Sequence, residues 1–255
     1  MVYKRRIFFI KMFIITSLMI SGLGYLIWFN ISELGAFLTI TGPLISTCLI
    51  YCFSKKEIKP NLKDIPFCGI IIAIAIPTIF ITISFLIMLL IDNKFQNYTI
   101  SIKFVILLLI KWFFAGFCEE IGWRGVLLPL LKSVLKYKYA ILINGLVWFI
   151  WHIPLICVGA MLTQFTITTS LALFFFEIMG LTFIMGAISE TKHNSIWFFV
   201  TFHAVYNIWI EIITPFLNQN QLQLAGDGGY ILVFFILLFA LALNYFIVIK
   251  KSVQE

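Results

Sequence analysis

Eight long apolar runs dominate the chain and limit what it can fold into. They cover residues 10–29, 36–53, 66–91, 103–129, 139–158, 165–188, 195–216 and 230–249. A helix needs roughly 20 apolar residues to cross the hydrocarbon core of a bilayer, and each run supplies about that many. Because only helices and closed barrels satisfy every backbone polar group inside lipid, runs of this length indicate helices. We therefore predict an all-α, polytopic membrane protein with about eight transmembrane helices, in which residues 1–255 form a single transmembrane domain.

The overall composition agrees with this prediction. Hydrophobic residues make up 62% of the chain and charged residues 11%, whereas soluble domains have roughly 45–50% and 25%. The formal net charge is +7, but the basic residues do not form one patch interleaved with exposed aromatic side chains, which is the pattern of a nucleic-acid-binding surface. Membrane lipid, and not nucleic acid, is the expected surrounding.

The basic residues are distributed very unevenly between the two ends of the predicted helices. If the N-terminus is cytoplasmic, 14 of the 18 lysine and arginine residues lie on the cytoplasmic side, namely Lys4, Arg5, Arg6, Lys11, Lys55, Lys56, Lys59, Lys63, Lys132, Lys136, Lys138, Lys192, Lys250 and Lys251. Lys94 and Lys103 lie on the other side, and Lys111 and Arg124 fall within spans. Cytoplasmic loops are enriched in lysine and arginine. We predict a multi-pass protein of the cell membrane with both termini in the cytoplasm, and the short loops favour a bacterial plasma membrane.

Three ionisable side chains occur together inside the fourth apolar run, in the pattern Glu119-Glu120-x-x-x-Arg124. A charge at the bilayer centre costs at least about 2.5 to 3.5 kcal/mol, so such groups face a polar interior and pair with one another. The i, i+4 spacing places Glu120 and Arg124 on one helical face, where they can form an ion pair. Glu119 is rotated by about 100° and faces a different neighbour. The pattern alone leaves open whether the Glu120–Arg124 pair is structural or takes part in chemistry.

Two further polar pairs have the same spacing, Trp148-x-x-x-His152 and His203-x-x-x-Asn207. Glu119 lies 13 residues before Lys132 and His152 lies 14 residues after Lys138. At 1.5 Å per residue, both side chains are roughly 20 Å from the loop that joins their helices, and therefore at matching depth. We predict that the three pairs converge on one polar pocket.

The residue types in this predicted pocket are those of a hydrolase. Glu119 is the best candidate for a general base, and His152 could share the attacking water with it. His203 and Asn207 could donate hydrogen bonds to a developing oxyanion. A divalent metal such as zinc, held by Glu119, His152 and His203, is an alternative organiser, although no His-Glu-x-x-His helix is present. The need for a metal cofactor stays open.

The motifs also resemble those of a known family. Residues 117–125 (FCEEIGWRG), 148–154 (WFIWHIP), 194–197 (NSIW) and 203–207 (HAVYN) are similar to the motifs of the CPBP (CAAX protease and bacteriocin-processing) family of intramembrane metalloproteases, also called Abi and related to type II CAAX prenyl endopeptidases. The resemblance covers about residues 110–210. Trp148 stands where the family usually has phenylalanine.

This resemblance implies an eight-helix α fold with a protease core at about residues 103–216. It also implies hydrolysis of a peptide or membrane-anchored protein on the cytoplasmic side. Glu119 and His152 would activate water, and His203 and Asn207 would form the oxyanion hole. The family is labelled metalloprotease by convention, while a glutamate mechanism without metal is also proposed for it.

Two other function classes remain as alternatives. A proton-coupled transporter also buries glutamate, histidine and arginine, but the internal repeats typical of many transporters are not evident. A non-catalytic immunity or scaffold protein could keep the fold without the chemistry. The substrate is open among a prenylated C-terminus, a bacteriocin precursor and an anchored regulatory protein. For Glu177 a structural hydrogen bond and a place on the substrate path are equally compatible with the sequence, and His193 is expected in a solvated loop.

Overall fold

The chain folds into a bundle of helices. The structure, a computed structural model, describes residues 2–62, 67–191 and 195–249, and every regular element in these ranges is helical. The all-α prediction is confirmed. Some sequence predictions lie outside the described residues, namely those on Lys63, Lys192, His193, Asn194, Lys250 and Lys251.

Long helices lie over all eight predicted runs within the described ranges. They are α1 (Val2–Asn30), α2 (Leu34–Phe53), α3 (Phe67–Ile91), α4 (Ile102–Gly122), α5 (Leu128–Lys132), α6 (Tyr137–Cys157), α7 (Ile167–Ile188), α8 (Ile196–Ile213), α9 (Gln219–Ala225) and α10 (Tyr230–Leu243), of which α5 and α9 are short. Seven spans in the described part of the chain are long and apolar enough to cross a membrane. The eighth long helix, α4, contains four charged residues spread along its length, Lys103, Lys111, Glu119 and Glu120, and is therefore more polar than the apolar stretches of these seven spans. The prediction of a polytopic membrane protein is confirmed.

The fourth predicted run does not form one regular helix. A π-helical turn, Trp123–Leu127, joins α4 to α5. Pro129 follows immediately, and it has no N–H to donate to the carbonyl of Gly125, so the regular hydrogen-bond ladder is interrupted here. π-helical turns are frequent at functional sites. This turn contains Arg124 and lies directly after the two motif glutamates.

Polar caps determine where the helices that carry the motifs begin. The side chain of Ser101 accepts a hydrogen bond from the backbone of Phe104 and caps α4, and Ser195 caps α8 through the backbone of Trp197. Such caps satisfy N–H groups that the first helical turn leaves free. They position the charged motif on α4 and the His203 motif on α8 at a defined depth.

The long helices pack around a central space. α2 lies between α1 and α4, and α8 lies between α4 and α3, while α10 connects α3 to α7 and α7 packs on α6. α4 and α8 approach closely at Gly116, where an added Cβ would lie 3.2 Å from the carbonyl oxygen of Val200 and 3.5 Å from the Cβ of His203. The absence of a side chain at Gly116 therefore allows the two motif-bearing helices to meet.

Large apolar side chains cover much of the outer surface of the bundle. Leu90 is 88% exposed, and Phe67 and Ile102 are exposed to a similar degree. Patches of this kind are rare on soluble monomers and mark contact with lipid or a partner. Together with the helix lengths, they indicate that the outside of the bundle faces acyl chains.

Candidate active site

Glu120 and Arg124 form a buried network with the third motif. Arg124 Nη1 donates to Glu120 Oε1 at 3.0 Å, and both side chains are fully buried. His203 Nδ1 lies 2.8 Å from the same carboxylate oxygen, and Arg124 Nη2 lies 3.3 Å from the hydroxyl of Thr182. The predicted local ion pair is confirmed. Because Glu120 also binds His203, the pair fixes α4, α7 and α8 relative to one another.

Glu119 faces a different neighbour, as predicted from its rotation about the helix. Trp148 Nε1 donates a hydrogen bond to Glu119 Oε2 at 3.0 Å. The other carboxylate oxygen, Oε1, lies 4.0 Å from His203 Nε2. A direct hydrogen bond at this distance is excluded, but the separation is short enough for one water molecule to bridge the two groups. One carboxylate oxygen is therefore held in place while the other stays available.

Trp148 packs against three other residues of the site, in addition to donating the hydrogen bond to Glu119. The Arg124 guanidinium lies 4.1 Å from the centroid of its ring, and the rings of His152 and His203 are each 5.7 Å away. A phenylalanine at this position would supply the same wall but no N–H. The departure from the family's usual residue thus adds a hydrogen bond to the candidate base.

His152 is held in one tautomer by its own helix. Its Nδ1 lies 2.9 Å from the carbonyl oxygen of Trp148, and a carbonyl can only accept, so Nδ1 carries the hydrogen. In the neutral ring this leaves the lone pair on Nε2. His152 lines the cavity beside Glu119, so Nε2 can accept a hydrogen bond from a bound water.

His203 and Asn207 can offer hydrogen-bond donors to a ligand, whereas Glu119 and His152 offer acceptors. Because His203 Nδ1 donates to Glu120, a second proton on Nε2 would make the ring a cationic donor that Glu120 stabilises. One amide hydrogen of Asn207 is donated to the carbonyl oxygen of His203 at 3.2 Å. The amide nitrogen carries a second hydrogen that can still be donated to a ligand.

The predicted pocket exists as a cavity of about 480 Å³. The predicted site residues on its wall are Glu119, His152, His203 and Asn207, together with Trp148. Glu120 and Arg124 do not line it; they lie behind the wall. Glu177 combines the two possibilities left by the sequence, since it lines the cavity and accepts a hydrogen bond from the Tyr206 hydroxyl.

The possible zinc set does not form a metal centre in this arrangement. Within residues 2–62, 67–191 and 195–249, no group of three histidine, cysteine, aspartate or glutamate side chains is placed to hold a metal ion. Both Nδ1 atoms of His152 and His203 are engaged in hydrogen bonds. Two ligand atoms of a tetrahedral zinc ion lie roughly 3.4 Å from one another. Glu119 Oε1 and His203 Nε2 are 4.0 Å apart, so they would have to move closer together to share an ion.

The sequence analysis missed two residues that support the site. Asn144 is fully buried, and its amide donates to the carbonyl oxygen of Trp123 at 3.0 Å. This carbonyl belongs to the π-helical turn and also accepts the backbone N–H of Leu128, so Asn144 adds a second bond that ties α6 to the turn. An asparagine four residues before Trp148, on the same helical face, was a usable signal. Thr182, the second partner of Arg124, had no such signal in the sequence, because single threonines are common in apolar helices.

Two comparisons with known proteins match this chain. Residues 101–209 match the family model of the type II CAAX prenyl endopeptidases, Rce1-like. The resemblance to the CAAX protease family is confirmed. The matched interval contains all six predicted site residues, from Glu119 to Asn207. The chain is also similar to CAAX prenyl protease 2 of Methanococcus maripaludis, with 26% identity over 257 residues that cover 88% of this chain and 87% of that protein. These similarities support an intramembrane protease at the level of the family.

Proposed function

We propose that this protein is an intramembrane endopeptidase in which Glu119 and His152 activate a water molecule for attack on a peptide bond. The observation that carries the proposal is the meeting of Glu119, His152 and His203 at one buried cavity, each with an atom free to bind a ligand. Buried ionisable groups in a membrane domain that converge on a cavity are characteristic of functional sites.

The proposed reaction starts with a water held between Glu119 and His152. The Glu119 carboxylate takes a proton from this water as its oxygen attacks the carbonyl carbon of the peptide bond, and a tetrahedral intermediate forms. The proton then passes to the amide nitrogen as the carbon–nitrogen bond breaks, which releases an amine and a carboxylic acid. His152 Nε2 accepts a hydrogen bond from the second hydrogen of the water, and this bond orients a lone pair of the water oxygen toward the carbonyl carbon.

The negative charge that develops on the carbonyl oxygen of the intermediate needs hydrogen-bond donors. His203, protonated on Nε2, and the free amide hydrogen of Asn207 can supply them. Glu120 stabilises the charged His203 ring, and Arg124 holds Glu120 in place. We therefore assign Glu120 and Arg124 as positioning residues that act through His203, while Glu119, His152, His203 and Asn207 contact the reacting atoms.

Trp148→Phe is expected to lower kcat about tenfold with little change in KM. The substitution keeps the aromatic wall but removes the N–H that holds Glu119. A hydrogen bond to a charged group contributes about 1.5 to 3 kcal/mol, and about 1.4 kcal/mol in the barrier corresponds to a factor of ten. Steady-state cleavage of a membrane-anchored peptide measures both constants.

The matched control for this variant is Trp112→Phe. Trp112 also lines the cavity, but its indole N–H has no hydrogen-bond partner among the described residues. This variant is expected to keep the wild-type kcat. Equal losses in the two variants would show that ring packing, and not the bond to Glu119, is responsible.

The direct test of the proposal is peptide cleavage by purified protein in liposomes, before and after metal ions are removed with a chelator. Suitable substrates are a membrane-anchored prenylated peptide, as the name of the relative from Methanococcus maripaludis suggests, and a secretory leader peptide. Cleavage is expected, and it is expected to persist after metal removal because the acceptors for the water protons are side chains. Loss on chelation with recovery on added zinc would contradict the metal-free mechanism. Failure to cleave any membrane-associated peptide would contradict the function itself.

A further inference from the structure

The active-site cavity extends toward only one end of the bundle. Beyond the catalytic side chains its walls are formed by residues 160–164, which connect α6 to α7, and by Thr214, Leu222 and Asp227 beyond the end of α8. In the described part of the chain, the connections at the other end, residues 54–62, 133–136 and 189–191, contribute no lining residue. The cavity therefore extends to one end of the bundle, where its lining residues Ala160 and Thr163 are exposed, and not to the other. We call these its open end and its closed end.

The closed end is filled by side chains and covered by a loop. The largest fully buried side chains on this side of the motif include Trp123, Leu127 and Leu131. Above them, Pro60 packs against Gly125, where an added Cβ would lie 2.9 Å from the Pro60 Cβ. The indole of Trp197 donates to the carbonyl oxygen of Leu62 at 2.9 Å. The 54–62 segment thus seals the site at this end.

The two ends differ sharply in charge. The described basic residues at the closed end are Lys4, Arg5, Arg6, Lys11, Lys55, Lys56, Lys59, Lys132, Lys136 and Lys138, and the acidic ones are Glu57 and Glu190. At the open end the described loops and helix starts contain Lys94 and Lys103, together with Glu33, Asp92 and Asp227. Short loops rich in lysine and arginine stay in the cytoplasm. The closed end is therefore cytoplasmic by this rule, and the open end is not.

This places two sequence-based expectations in conflict. The lysine distribution predicts cytoplasmic termini, and the family resemblance implies hydrolysis on the cytoplasmic side. In this fold both ends of the described chain, at residues 2 and 249, are on the lysine-rich side of the bundle and the cavity opens on the other. Only one of the two expectations can hold.

We propose that the active-site cavity opens to the extracytoplasmic face and takes peptide segments of exported substrates from there. The inference rests on the proposed protease function and adds the side of the membrane from which the substrate comes. It favours secreted or surface-anchored peptides over the C-termini of cytoplasmic proteins.

The cavity wall also indicates the charge of such a segment. Four carboxyl side chains and one lysine line it, namely Glu119, Glu177, Glu211, Asp227 and Lys111, although the whole chain carries a formal net charge of +7. Lys111 is already paired with Glu211. His203, which is a cation in the proposed reaction, lies beside Glu119, so the excess negative charge of the wall is carried by Glu177 and Asp227. A cavity with an excess of one sign of charge concentrates ligands of the opposite sign, so basic peptide segments are the favoured substrates.

Single-cysteine labelling tests the orientation without reference to activity. In a background without native cysteines, Lys59→Cys and Lys136→Cys probe the closed end, while Asn97→Cys and Ala160→Cys probe the open end; all four positions are exposed. A membrane-impermeant maleimide applied to intact cells is expected to label the cysteines at positions 97 and 160. Those at positions 59 and 136 should react only after the membrane is permeabilised.

The opposite pattern, or protection of Ala160→Cys from outside, would overturn the proposal even if the protein cleaves peptides. The expected pattern combined with no cleavage of any peptide would instead overturn the protease function and leave the orientation intact. The two failures are therefore distinguishable.

The charge preference is tested with two synthetic membrane-anchored peptides of equal length, one with lysines and one with glutamates beside the same apolar segment. In low salt the basic peptide is expected to be cleaved about tenfold faster, and the ratio should fall as salt screens the cavity charge. Asp227→Asn should reduce the ratio. Equal rates, or faster cleavage of the acidic peptide, would contradict this part of the proposal.

Discussion

Glu119→Gln is expected to lower peptide cleavage by about 10²- to 10⁴-fold, the range over which a positioned general base contributes to catalysis. The amide has nearly the same shape as the carboxylate, and its oxygen can still accept the hydrogen bond from Trp148. It cannot take a proton from water. The fold should therefore be retained while the reaction is lost. Initial cleavage rates in liposomes, measured beside a melting curve in detergent, separate the two effects.

Glu57→Gln is the matched control for this experiment. Glu57 forms an ion pair with Arg5, both side chains are largely exposed, and neither lines the cavity. Its rate is expected to equal that of the wild type. Wild-type cleavage by the Glu119→Gln protein would contradict the catalytic assignment. Protection of cells against a secreted toxic peptide by the same inactive variant would favour an immunity or scaffold function.

Arg124→Ala is expected to lower both stability and activity. Among the described residues it leaves only His203 as a partner of the buried Glu120 carboxylate. The other oxygen of that carboxylate, Oε2, already has no hydrogen-bond partner there. Removing one partner of a buried ion pair costs about 3 to 5 kcal/mol. Cleavage should fall as well, because Glu120 no longer holds His203 in place. Thermal unfolding in detergent and the cleavage rate measure the two losses.

Two further variants distinguish the effect of breaking the buried ion pair from the effect of losing an arginine side chain. Arg5→Ala removes an arginine from the exposed pair with Glu57 and is expected to change stability by less than about 1 kcal/mol. The double variant Glu120→Gln/Arg124→Met removes both buried charges but keeps an acceptor for His203 Nδ1. It should be more stable than Arg124→Ala alone. A double variant as unstable as the single one would show that lost packing, and not the stranded carboxylate, causes the effect.

Features that depend on neighbouring residues of one helix were predictable from the sequence. The apolar runs predicted the long helices because length and composition decide whether a segment can cross a bilayer. The Glu120–Arg124 pair followed from the i, i+4 spacing alone. The meeting of Glu119 and His152 at one cavity followed from their matching depth. Each of these conclusions needs helix geometry but no knowledge of how the helices pack.

Features that depend on packing between helices were not predictable. The bond from Trp148 to Glu119 requires the relative rotation of α4 and α6, which no sequence spacing determines. The bond from Asn144 to Trp123 depends on a π-helical turn that a regular helix would not contain. The placement of Glu120 and Arg124 behind the cavity wall, and the end at which the cavity opens, likewise follow from the arrangement of the whole bundle.

The central claim is that Glu119 makes this protein a peptidase, and comparative mass spectrometry of membrane-associated peptides tests it most directly. Cells that produce the wild-type protein are compared with cells that produce equal amounts of the Glu119→Gln variant. Peptides with new termini are expected in the first set and absent from the second, and their parent proteins should be exported. Identical peptide sets, with both proteins folded and inserted, would contradict the account.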